Sequence, residues 1–500
     1  MFLSLVVQCG GLYDPVNRIE SARLYGNVDE FAYYYVDLLV GTPPQRVSAI
    51  VDTGSSLLAF PCASCRHCGK HIDPAFDVSR SSTAKWTRCS TDCWQTCQMT
   101  YCSYRMKYTE GSSISGFYFD DEVQLGDALQ KNPPFTARLG CHLNENNLFY
   151  TQQANGILGL APRGNTFLKQ LFGDKSHVSS STFAFCLAEW GGRFVIGGYN
   201  SSYHISRISY ISMDVTGGYY GIQMSAMRVG GRTLNVRLGE GILDSGTTYT
   251  YIHSSAYRAL RNAIEDYCKE RSSCGATKRD KCWKLAAGDP NAPGAGLARF
   301  PAVDVGFRDV WVPWTPAGYL FRKGSGNTWC YSFEDDGPHA KITLGASFMM
   351  HKEVIFDLTA RRIGIATANC PEFRKRPLHD DLPPLDTHGR FWFYVAAIAG
   401  LGLCAVVMKP LLSFWCRDDD DIAIAGLQEV RLPRAVLGSF AAGDKRTVAV
   451  EELPRHSTVR NPEAGGDEGE DLLDAPRHRG PAAQGRFSSD VRQSPRHVEE

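Results

Sequence analysis

The sequence predicts a mainly β chain built as two related lobes, and three observations predict it. The 500 residues include 48 glycines and 11% aromatic residues, with many β-branched ones, a composition that suits half-buried strands. That length exceeds what one ordinary core organises, so two or more domains are expected. A short motif also occurs twice. Asp52-Thr53-Gly54-Ser55-Ser56 follows the apolar run Ala49-Ile50-Val51, and Asp244-Ser245-Gly246-Thr247-Thr248 follows Gly241-Ile242-Leu243. Each reads as a buried strand ending in a tight turn, with Gly54 and Gly246 supplying backbone freedom. One Asp-Thr-Gly says little, because Asp and Gly favour any turn. Two copies, each after an apolar strand, place one carboxylate per lobe at a shared cleft.

That pairing suits water-mediated peptide hydrolysis. Two carboxylates held close cannot both ionise easily, so they share a proton and titrate as a pair. One takes a proton from water while the other supports the carbonyl oxygen. No cofactor or metal is implied. Formal net charge is zero, and no basic stripe suggests a nucleic-acid partner. Of the seventeen cysteines, Cys9 lies in the apolar N-terminus, and Cys404 and Cys416 lie in or beside a C-terminal apolar span. The fourteen from Cys62 to Cys370 read as disulfides made in the secretory pathway. Cys62-x-x-Cys65-x-x-Cys68 also has metal-ligand spacing, but an oxidising lumen disfavours free thiolates.

Along the chain, residues 1–30 form an N-terminal segment whose apolar residues 2–7 are either a signal remnant or a strand. Tyr33 to Val51 alternates through a Gly41-Thr42-Pro43-Pro44 hairpin turn into the first Asp motif. Residues 62–102 hold seven cysteines among polar residues. This insertion reads either as a docking module or as a loop that needs staples because it lacks a core, and the second reading is favoured. Thr182–Leu187 and Phe194–Gly198 read as strands joined by a turn, and the lobe boundary falls near 200–212. Tyr219–Ile222 and Met227–Gly231 suit strands approaching Asp244. Ser254 to Lys269 reads as a helix capped by Ser254 or Ser255, with Tyr257, Leu260 and Ile264 on one side. His142 and the other histidines show no metal-like grouping and read as ordinary surface or core residues. Residues 371–390 read as a stalk, 391–416 as a transmembrane helix, and 417–500 as a disordered cytosolic tail.

From about Tyr33 to Cys370 the chain resembles the pepsin-family aspartic proteases. Besides the Asp motifs, Gly156-Ile157-Leu158-Gly159-Leu160 and Ile342-Thr343-Leu344-Gly345 resemble the segments that thread beneath the catalytic loops. Tyr108-Thr109-Glu110-Gly111-Ser112 resembles the flap, and Ile355-Phe356-Asp357 with Ile363–Ala366 the last hairpin. The resemblance implies a bilobal pepsin-like fold, with lobes at 31–205 and 206–370. It assigns Asp52 and Asp244 to catalysis. Ser55 and Thr247 would hold the outer carboxylate oxygens, and Thr53 and Ser245 would lock the two loops together. Ala59 stands where many relatives carry a Trp that hydrogen-bonds the flap tyrosine, so the resting position of Tyr108 departs from the pattern. Little room precedes Tyr33 for a basic prosegment, so activation by its removal is not expected.

Within the family the nearest resemblance is to the plasmepsin V-like membrane-anchored export-signal peptidases. It rests on the Cys-rich insertion, the flap, Cys141-His142 and Leu148–Leu160. It implies cleavage of secretory or exported proteins after leucine in an Arg-x-Leu type motif. The catalytic domain would face the lumen of the endoplasmic reticulum or Golgi, tethered by one membrane helix. Glu110 and Gln152 match the positions that bind the substrate arginine. Nine cysteines fall in the first lobe and five in the second, so full pairing needs an inter-lobe bond. The family fold makes Cys186 with Cys370 the candidate.

Overall fold

Strand Tyr33–Val40 is buried along its whole length, turns through residues 41–44, and returns antiparallel as Gln45–Asp52. Gly41 sits at φ +81°, a conformation glycine adopts without steric cost, and this permits the tight turn. The computed structural model describes residues 17–374, apart from 91–92, 94–95, 128–131, 165, 287–294, 309 and 325. The expected transmembrane helix and tail, the stalk beyond residue 374 and the first sixteen residues lie outside the described residues. Among the described residues no helix is long and apolar enough to cross a membrane.

The fold is mainly β, and it repeats one device. Strand Gly156–Gly159 runs parallel to Gln45–Asp52, with Gly159 opposite Asp52. In the second lobe Ile342–Leu344 runs parallel to Gly239–Leu243, with Leu344 opposite Leu243. A Cβ at Gly159 would lie 2.3 Å from the Leu57 nitrogen, and one at Gly345 2.2 Å from the Tyr249 oxygen. Both threads therefore pass too close to the catalytic turns for any side chain at those glycines.

One large sheet joins the lobes. Thr182–Leu187 pairs antiparallel with Lys352–Asp357 over six residue pairs, and Arg362–Thr367 extends that pairing. Phe183 stacks on Phe356 with ring centroids 4.5 Å apart, and Tyr220 packs on the same ring at 4.7 Å. Burying each such ring contributes about 1.5–3 kcal/mol, so the floor of the cleft is among its firmest parts. Cys186 and Cys370 are bonded beside it.

All fourteen central cysteines are paired, among them Cys62–Cys141, Cys65–Cys68, Cys89–Cys97 and Cys93–Cys102 in the first lobe. Cys62, Cys65 and Cys68 are thus not available as thiolate ligands. The insertion builds on the flap hairpin formed by Tyr101–Lys107 and Ser113–Leu125. Lys85–Trp86 pairs with the second of these strands and Thr96–Gln98 with the first.

The helix spans Ser254–Glu270 and buries Tyr257, Leu260, Ile264 and Cys268 at helical spacing. Its cap is His253, not Ser254 or Ser255. The His253 side chain accepts from the Ala256 amide, while Ser254 Oγ donates to Asp335 Oδ1 at 2.7 Å. The nearby carboxylate takes the hydroxyl that would otherwise compete for the cap.

Candidate active site

The two Asp turns meet face to face and exchange hydrogen bonds in pairs. Ser245 N donates to Thr53 Oγ1 at 2.9 Å, and Thr53 N donates to Ser245 Oγ at 3.1 Å. Each hydroxyl then donates to the strand end of the opposite lobe, Thr53 to the Leu243 carbonyl and Ser245 to that of Val51. Every donor and acceptor in this cross-brace is satisfied without water, which suits a buried junction.

Above the brace, each aspartate accepts from the amide two residues on. Gly54 N lies 2.8 Å from Asp52 Oδ1, and Gly246 N lies 3.0 Å from Asp244 Oδ1. The glycines also admit the opposing carboxylate. A Cβ at Gly54 would stand 2.8 Å from both oxygens of Asp244, and one at Gly246 2.2 Å from Asp52 Oδ1. Neither glycine has a positive φ. Close approach, rather than the backbone freedom expected from the turn, requires glycine here.

Both aspartates are fully buried. Burial and the neighbouring Asp244 charge push the Asp52 carboxyl well above the ordinary carboxylate range. The arrangement can hold one proton between two carboxylates, as acid–base activation of water requires. The outer contacts are unequal. Thr247 Oγ1 donates to Asp244 Oδ2 at 2.7 Å. Ser55 lies beside Asp52 and acts to lower its carboxyl, although Asp52 Oδ2 and Ser55 Oγ are both buried without an aligned hydrogen bond.

Tyr108 begins the flap turn, which closes through Gly111 N to the Tyr108 carbonyl at 3.0 Å, with Gly111 at φ +96°. With Ala59 in place of an indole, the Tyr108 ring packs instead on Phe149, centroids 4.8 Å apart. Phe149 lies on the short helix Asn147–Thr151, whose C-cap is Gln152. Three bonds stitch flap to helix: Asn147 Nδ2 to the Gly111 carbonyl, Leu148 N to Ser112 Oγ, and Ser113 N to Asn146 Oδ1. Glu110 and Gln152 are thereby carried on one connected unit. Both carboxylate oxygens of Glu110 and Oε1 of Gln152 are buried without an aligned hydrogen-bond partner. Burial raises the Glu110 carboxyl above its ordinary range.

Three features escaped the sequence reading. Arg163 donates to the Gly54 carbonyl at 3.1 Å and lies over the Tyr219 ring, placing a cation against the first catalytic turn. The Tyr33 hydroxyl accepts from the amides of Gln153 and Ala154 and so anchors the segment after Gln152. His142 is a core histidine, as read, and its Nδ1 lies 2.9 Å from Glu145 Oε1, with both side chains fully buried. Arg163 and Tyr33 have partners far away in sequence, whereas Glu145 stands only three residues from His142 on the same strand.

Paired aspartates on cross-braced loops, over a floor of pepsin-like threads, define a class. The chain belongs to the eukaryotic aspartyl protease family, which it matches over residues 33–368, and so to the pepsin-like aspartic endopeptidases. It is 37% identical over 399 residues to aspartic protease 5 of Toxoplasma gondii, covering 71% of this chain and 38% of that one. It is 27% identical over 447 residues to plasmepsin V of Plasmodium falciparum, covering 70% of this chain and 73% of the relative. Aspartyl protease family protein 2 of Arabidopsis thaliana is 26% identical over 361 residues, covering 67% and 71%. The chain thus spans well under half the length of the first of these relatives.

Proposed function

We propose that the chain cleaves secretory or exported proteins after leucine in an Arg-x-Leu type motif. Asp52 and Asp244 activate water together. Thr53 and Ser245 fix the spacing of the two loops, Gly54 and Gly246 admit the opposing carboxylates, and Thr247 and Ser55 flank the outer oxygens. Tyr108 and Gly111 shape a flap that covers the peptide and excludes water. Glu110 and Gln152 receive an arginine two residues before the cleaved leucine. One apolar helix at 391–416 anchors the catalytic domain on the lumenal side of the endoplasmic reticulum or Golgi. The dense disulfides of the lobes support that oxidising side.

One observation carries the specificity: three buried acceptor oxygens, two on Glu110 and one on Gln152, make no well-aligned hydrogen bond, although Ser112 lies close enough to Glu110 to act on its carboxyl. Buried acceptors left unmade are costly, by about 1–3 kcal/mol each. A guanidinium supplies five donors in a planar fork and can satisfy them together, whereas an ammonium cannot match the fork.

The test is kcat/KM for peptides differing only at the arginine. Replacing Arg by Lys or Ala should cost about tenfold to a hundredfold, the equivalent of ~1.5–3 kcal/mol for a hydrogen-bonded charge. Glu110→Ala should remove most of that difference and leave the Ala peptide little changed. Equal kcat/KM for all three peptides would return the chain to a generic membrane-anchored pepsin-like protease.

A further inference from the structure

Beneath Gln152 lies a buried cluster that the proposed mechanism does not use. His71, three residues beyond the Cys65–Cys68 bridge, is 3% exposed at its side chain. Its Nε2 lies 3.1 Å from Glu145 Oε2 and its Nδ1 3.1 Å from the Gln152 carbonyl oxygen. A carbonyl can only accept, and so can an ionised carboxylate. Both ring nitrogens must then donate.

Glu145 is held in its ionised form. Burial alone would raise its carboxyl, but hydrogen bonds from His142 and His71 outweigh that and hold it down at about 2. Gly69 N adds a third donor at 3.1 Å. His142 gives Nδ1 to Glu145 Oε1 while its Nε2 is buried without a partner, the pattern of a neutral ring; burial correspondingly lowers its basicity. Of the two histidines on Glu145, His71 is the one whose ring nitrogens both face acceptors.

The consequence falls on Gln152. Its side-chain Nε2 donates to the Ala154 carbonyl at 3.0 Å, and its amide donates to the Leu148 carbonyl. The remaining main-chain group, the carbonyl, is held by His71. The loop bearing His71 is itself fastened to the same region, through Ile72 N to the Gln153 carbonyl and through His67, paired to the Glu145 main chain at 2.8 Å each way. We propose that His71, doubly protonated between Glu145 and the Gln152 carbonyl, is a positioning residue that aims Gln152 Oε1 for arginine recognition. The proposal rests on the reading of Glu110 and Gln152 as an arginine site. His71 touches only the main chain of Gln152, so it acts through that residue and not on substrate. A ring with one N–H could satisfy only one of its two buried acceptors, and the other would be left unpaired.

The experiment uses the purified full-length protein and two peptides, one with Arg and one with Ala at the recognised position. In the wild type the Arg peptide is preferred; equal rates would sink the arginine reading, and this proposal with it, before any variant is made. His71→Leu should cut the Arg-over-Ala ratio of kcat/KM at least tenfold, mainly through KM of the Arg peptide, with the Ala peptide within twofold of wild type. His71→Lys, a cation with donors for both acceptors, should restore the ratio to within threefold. If His71→Leu loses cooperative thermal unfolding, His71→Gln carries the same expectation with a ratio change of at least threefold. An unchanged ratio in a folded variant, or an equal loss on both peptides, overturns the positioning role while leaving the arginine site standing.

Discussion

Replacing Gly246 by alanine tests the cross-lobe approach of the carboxylates. The new Cβ would stand 2.2 Å from Asp52 Oδ1 and 2.6 Å from its Cγ. Comfortable contacts begin at about 3.5 Å, so Asp52 must retreat by roughly 1 Å. It has nowhere to go without breaking the 2.8 Å bond from Gly54 N, because it is fully buried among the strands that deliver it. A displacement of about 1 Å at the reacting groups costs roughly a hundredfold in rate. Losing a hydrogen bond to a charged group costs about 1.5–3 kcal/mol of stability, a fall of a few degrees in Tm. The assay pairs kcat/KM on one peptide with thermal unfolding by circular dichroism. Gly173→Ala is the control, since its Cβ would meet nothing within 4 Å. Gly54→Ala, with contacts of 2.8 Å, should be the milder of the two active-site changes. Near wild-type turnover in Gly246→Ala would refute the reasoning, because it would mean that the carboxylates do not need this approach.

Removing both Cys186 and Cys370 as alanines should destabilise the chain by up to about 5 kcal/mol, from loop-closure entropy over a separation of 184 residues; an unchanged urea midpoint would contradict this. Burial raises the Glu20 carboxyl to about 8, and its Oε2 is buried without a partner. The folded chain then keeps a proton that the unfolded chain releases above about 4.5, so this contribution to stability is full in acid and is lost as pH rises towards 8, by up to ~1.4 kcal/mol per pH unit. Glu20→Gln should flatten that decline in urea titrations across the window. Glu110 is also raised by burial, and in the proposed site an arginine would pair with its ionised form. The Arg-over-Ala preference should therefore grow as pH rises through the titration of Glu110, and Glu110→Gln should abolish the growth.

The Asp motifs and the hairpin before Asp52 were legible because their signals are local, an apolar run and a turn residue, although Tyr33–Val40 is buried along its whole length and not on alternate residues. The two glycines were legible as necessary, but for the wrong reason. Their φ values are ordinary, and what excludes a side chain is a carboxylate from the other lobe nearly two hundred residues away. The helix cap went to His253 because Asp335, distant in sequence, takes the Ser254 hydroxyl. The ring that packs on Tyr108, Phe149, sits on a five-residue helix with no periodic signature. His71 and Glu145 lie 74 positions apart and meet because the segment from His67 to Ile72 folds back on Glu145 and Gln153. Such polar clusters have no period to read.

The central claim is that a proton-sharing Asp52–Asp244 pair cuts peptides chosen by an arginine. The most direct measurement is the cleavage of a diverse peptide library by the purified full-length protein, read by mass spectrometry, beside an Asp52→Asn variant. Cuts after leucine with arginine two residues before it are expected, and no cuts by the folded variant. Cleavage without arginine enrichment would contradict the specificity, and cleavage by folded Asp52→Asn at the wild-type rate would contradict the mechanism.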